Sequence, residues 1–64
     1  LNLSQDEKDI LRVLSFGQTH IEKISSALNK RTFEITPTLS QLEMKKMVVK
    51  SGNIYELVHS YSEE

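Results

Sequence analysis

The chain contains no cysteine, which excludes disulfide staples and thiolate metal sites. It has two glycines and one proline. The two glycines, Gly17 and Gly52, stand far apart in sequence and form no glycine-rich loop that could cradle phosphates. No apolar run approaches the roughly 20 residues that span a bilayer, and no secretory signal is visible. Histidine occurs only at His20 and His59, far apart in sequence, and no nucleophile-and-base set is recognisable around either. The chain is therefore read as a non-enzyme. His20 has no further ligand at helical spacing, so neither a metal nor a cofactor is expected. An excess of one charge sign is lacking too: 8 Lys and Arg stand against 9 Asp and Glu, a net charge of −1.

What is there fits one small folded domain. The 64 residues are 38% hydrophobic and 27% charged, a balance that separates folded chains from disordered ones. A chain this short buries only about 60% of its unfolded surface, so its stability margin is small. Residue 1 is leucine, and a capped helix follows almost at once; the chain is expected to be a piece of a longer protein. The charge is unevenly spread. Residues 1–22 carry −2, residues 23–50 carry +4 and residues 51–64 carry −3. A basic middle of this kind can mark a binding face.

"LSQDEKDILRVLSFG" predicts a first helix over 4–16. Ser4 and Glu7 have the spacing of a capping box, and Ile10, Val13 and Leu14 recur at helical period. Ser4 also completes an Asn2–Leu3–Ser4 glycosylation sequon, but a cap explains it better. Gly17 is the expected stop. "QTHIEKISSALN" predicts a second helix over 20–28, with Thr19 and Glu22 as another capping box and Asn29 as a left-handed terminator. Residues 18–21 can add a short strand before it. A third helix is expected over 36–46. Its start is placed at Thr36–Pro37, because proline suits the first helical position and breaks a hydrogen bond further in; a kink there is the alternative. Two strands then flank a turn at Ser51, Gly52 and Asn53. The expected core is Ile10, Leu14, Ile21, Ile24, Leu28, Leu39, Leu42 and Val48, with Ile35 facing it and Tyr55 packing the sheet. Met44 and Met47 are read as core fillers rather than a soft binding surface. Phe33 is read as closing the core, with base stacking as the alternative.

Three short helices followed by a hairpin is the order of a mainly α winged helix-turn-helix, three helices plus a two-stranded wing, over residues 1–58. A polar tail occupies 59–64. In that fold the third helix normally enters the major groove.

The stretches "LSQDEKDILRVLSFGQTHIEKISSAL" and "LSQLEMKKMVVKSGNIYELV" resemble the C-terminal winged-helix domain of the DprA (Smf) family of bacterial DNA-processing proteins. "HIEKI" is similar to the family's "HIDEL", "LEMKK" to "LELKG", and Gly52-Asn53-x-Tyr55 closes both. The family usually has glycine where Lys46 stands and often where Asn29 stands, and the stretch 30–38 is dissimilar. The resemblance implies a cytoplasmic protein of natural transformation that binds incoming single-stranded DNA and helps load the RecA recombinase. It also implies that the main single-strand site lies in a preceding domain, with the winged helix as an accessory.

Affinity for nucleic acid comes mainly from Lys and Arg against phosphates. The candidates are Lys30, Arg31, Lys45, Lys46 and Lys50, with Thr38 and Gln41 beside them. Helical spacing groups Glu34, Thr38, Gln41 and Lys45 on one side, taken as the side opposite the core. One glutamine is a thin base-reading set, so weak contact with single- or double-stranded DNA, independent of sequence, is expected. Two other uses stay open. One is a protein-interaction or self-association module; the other is a sequence-specific regulator.

Overall fold

The computed structural model describes residues 3–58 of the chain. The tail 59–64, with His59, and Asn2 of the sequon lie outside the described residues. The first helix, α1, spans Gln5–Leu14. Its capping box forms: the Glu7 amide donates to Ser4 Oγ (3.2 Å) and the Ser4 amide to Glu7 Oε1 (2.8 Å). Glu7, Ile10, Leu11 and Leu14 make the buried face, the i, i+3, i+4, i+7 stripe of an amphipathic helix. Gly17 follows with a φ of 129°, a conformation that side-chain-bearing residues avoid.

A two-residue strand, β1 (Thr19–His20), leads directly into α2 (Ile21–Leu28). The expected capping box at Thr19 and Glu22 does not form. Thr19 is paired within the sheet opposite Tyr55, and His20 is the N-cap without a side-chain hydrogen bond. The first helical amide, that of Ile21, instead donates to the Asn53 carbonyl (3.0 Å). At the far end Asn29 takes the left-handed conformation (φ 57°, ψ 43°). The Lys30 amide reaches the Ser25 carbonyl and the Asn29 amide that of Ser26, the bond pair of a Schellman motif.

Helix α3 spans Thr32–Met44, so it begins four residues before the Thr36–Pro37 start expected from proline, and Pro37 lies inside it. The carbonyl of Phe33 loses its helical donor at Pro37. An interior proline costs about 3 kcal/mol in an exposed helix. Here the lost bond falls in the second turn and on an exposed side, where water can replace the donor. Starting at Thr32 buries Ile35 to 2% exposure, and full burial of an isoleucine is worth about 1.5–3 kcal/mol. Glu34 supports the early start by accepting the Arg31 amide (3.4 Å). The helix ends in a second Schellman motif, with Lys46 at φ 65° and amides of Lys46 and Met47 on the carbonyls of Glu43 and Leu42.

Strands β2 (Val48–Ser51) and β3 (Ile54–Leu57) form a hairpin with Gly52 and Asn53 between them, and Gly52 takes a φ of 63°. The sheet is antiparallel with order β1-β3-β2. It has three strands rather than two, because β1 adds to the free edge of β3. Ile10, Leu11, Leu14, Ile24, Ile35, Leu39, Leu42, Met47, Val48 and Tyr55 form the core. Ile21 and Leu28, expected inside, pack on it only partly buried. Two expectations fail outright: Met44 is 81% exposed and Phe33 69%.

Candidate nucleic-acid interface

The five candidate cations lie on three stretches of backbone. Lys30 and Arg31 sit in the turn between α2 and α3. There an open cleft of about 370 Å³ is lined by Ser25, Ser26, Asn29, Lys30, Arg31 and Glu34. Lys45 and Lys46 lie at the other end of α3, about 20 Å away at 1.5 Å per residue. Lys50 stands on β2, opposite Tyr55, with Nζ 6.0 Å from the ring centroid.

Two of these five cations are already engaged. Lys30 Nζ lies 2.8 Å from Asp6 Oδ1 on α1, and this contact holds its pKa above the ordinary 10.5. Lys45 Nζ lies 2.8 Å from Glu7 Oε2. Glu7 is buried at 2% exposure, and its two oxygens are divided between Lys45 and the Ser4 amide. The Lys45 hydrogen bond, then that of Ser4, holds the Glu7 carboxyl below its ordinary 4.5. The acidic first helix therefore neutralises part of the basic middle from within the domain.

The side of α3 taken as facing outward is corrected by the structure. Ile35, Leu39 and Leu42 fix which side of the helix turns inward. At 100° per residue, the opposite side carries Phe33, Pro37, Ser40 and Met44, and all four are exposed. Thr38 is half-buried, Gln41 and Glu34 are exposed along one flank, and Lys45 turns back to Glu7. Thr38, Gln41 and Lys45 thus do not form the outermost stripe. The cleft at Lys30 and Arg31 does bring together two candidates, with the Glu34 carboxylate beside them.

Sequence reasoning missed Glu7 as a buried anchor. The signal was present: Glu7 lies three residues before Ile10 and seven before Leu14, on the same helical stripe. Among the described residues no group of three or more His, Cys, Asp or Glu is placed to hold a metal ion, and no helix is long and apolar enough to cross a membrane. No family model, curated protein or solved structure matches the chain.

Proposed function

We propose that the chain is an accessory winged-helix domain of a DprA-like, cytoplasmic DNA-processing protein, and that it touches DNA weakly through phosphates. The helix order with a β1-β3-β2 sheet supports the fold reading. The observation that carries the functional one is the α2–α3 turn, where Lys30 and Arg31 line an open polar cleft next to the N-terminus of α3, whose helix dipole favours an anion. Lys46 and Lys50 add cations on the side of the hairpin. Phosphate contacts position a protein without reading sequence, and a stripe of Phe33, Pro37, Ser40 and Met44 offers base edges little. Glu34 in the cleft and the internal pairing of Lys30 and Lys45 keep affinity low.

The test is a titration of the chain with labelled single- and double-stranded DNA at two salt concentrations. Binding is expected with a Kd above about 1 μM, and its affinity should fall steeply with salt. Arg31→Ala and Lys50→Ala should each weaken it alike for every sequence and flatten the log–log salt slope by about 0.9 on duplex. Glu34→Lys should strengthen it. Absence of binding by the folded chain at low salt would overturn the reading. Sequence-dependent binding that survives high salt would replace it with the regulator. The exposure of Phe33 and Met44 favours a second reading, a protein-interaction role, to which contact with RecA and self-association both belong.

A further inference from the structure

The cations of the α2–α3 turn meet an acid from another element. Asp6 projects from the first turn of α1, and its Oδ1 lies 2.8 Å from Lys30 Nζ, a contact across 24 residues of chain. A carboxylate and a phosphate present the same thing to an ammonium: a charged oxygen at hydrogen-bond distance. Asp6 therefore stands where a phosphate oxygen bound to Lys30 would stand. Glu34 and Asp9 also act on Lys30, by charge. Glu34 lines the cleft, and Asp9 is turned to Arg12, 3.2 Å away. Among the described residues Asp6 alone touches the Lys30 ammonium.

The two pairs that α1 makes with the basic middle differ in how readily they exchange. In Glu7–Lys45 the carboxylate side chain is 3% exposed. Taking the lysine away would strand a buried charge, which is strongly unfavourable, so Lys45 is held as part of the fold. In Asp6–Lys30 both side chains keep water, at 55% and 34% exposure. A pair of this kind contributes little and opens easily, and Asp6 is solvated once it lets go. A phosphate entering the cleft exchanges one oxygen on Lys30 for another and uncovers no buried charge.

We propose that Asp6 is an autoinhibitory stand-in for phosphate: it occupies Lys30 in the free chain, and a nucleic-acid phosphate binds the α2–α3 turn by displacing it. This gate rests on the DNA contact proposed above and adds to it a competitor and an order of events. It differs from a general lowering of net charge in two ways. Removing Asp6 helps only while Lys30 is there to be released. Binding at the turn is also felt at the start of α1, which does not line the cleft, because Asp6 loses its partner.

The test is a titration with a labelled oligothymidylate at low salt, run as a double-mutant cycle of Asp6→Asn and Lys30→Gln. Glu22→Gln serves as the control for net charge, since Glu22 lies in the first turn of α2, at the opposite end of that helix from the cleft. Melting curves establish that each variant is folded. Asp6→Asn is expected to tighten binding about two- to fivefold, and Glu22→Gln by less. In the Lys30→Gln background the gain from Asp6→Asn should fall to that of the control. Amide spectra of the unaltered chain should show the oligonucleotide shifting Asp6 together with Lys30, and the Asp6 shift should shrink in Lys30→Gln. An Asp6→Asn chain that binds no tighter than Glu22→Gln, or a gain that persists without Lys30, overturns the gate and leaves the DNA reading standing. Absence of binding by every folded variant at low salt overturns both.

Discussion

Lys46 holds a backbone conformation that its side chain disfavours. It ends α3 at φ 65°, and a residue with a Cβ is strained there in a way glycine is not. Lys46→Gly is expected to stabilise the chain by about 0.5–1 kcal/mol, read as a higher denaturant midpoint with unchanged slope. Asn29 occupies the same conformation at the end of α2, but asparagine tolerates it. Glu7 gives the residue scale its pH dependence. Its pKa lies below 4.5 when folded, so between the two values the unfolded chain binds more protons. The stabilisation from Glu7 is full above about pH 4.5 and disappears as pH falls through the folded value. Glu7→Gln should therefore lower stability at neutral pH and flatten its loss below pH 5, measured as melting temperature against pH.

At the scale of elements, local rules worked where local chemistry decides. Ser4 and Glu7 started α1, Asn29 stopped α2 and Gly52 turned the hairpin, as their residue types require. They failed at α3. Proline's preference for a first position is a local rule, whereas the burial of Ile35 is a tertiary gain, and the tertiary gain moved the start to Thr32. That shift also explains Phe33 and Met44. With the helix running from Thr32 and its phase set by Ile35, Leu39 and Leu42, both fall about 180° from the core. A loop before Thr36 would have left Phe33 free to fold inward. Pro37→Ala restores a donor to the Phe33 carbonyl at an exposed site. It is expected to raise the melting temperature, with a gain of about 1–2 kcal/mol after the greater freedom of the unfolded chain is subtracted.

For the whole molecule, the order of helices and strands was legible because each element carries its own periodicity and its own stop. The distribution of charge was not. Sequence position groups Lys30, Arg31, Lys45, Lys46 and Lys50, but folding places α1 beside both ends of α3. Asp6 then meets Lys30, and Glu7 meets Lys45. Contacts 24 and 38 residues apart leave no trace in a window of sequence. The candidate site was thus recoverable as residue types and not as a surface.

The start of α2 is not made by α2. Its first amide, on Ile21, is held by the carbonyl of Asn53 in the hairpin turn, and an eight-residue helix is too short to persist alone in water. The helix and the hairpin therefore form one cooperative unit, although thirty-odd residues of chain separate them. Opening the turn releases the helix start in the same event. In native-state hydrogen exchange the Ile21 amide should share the protection and the denaturant dependence of the β2–β3 amides rather than those of α1. A proline for Asn53 tests nothing here, since the carbonyl survives. Lengthening the turn by two glycines moves that carbonyl away, and should speed Ile21 exchange by the same factor as the hairpin's.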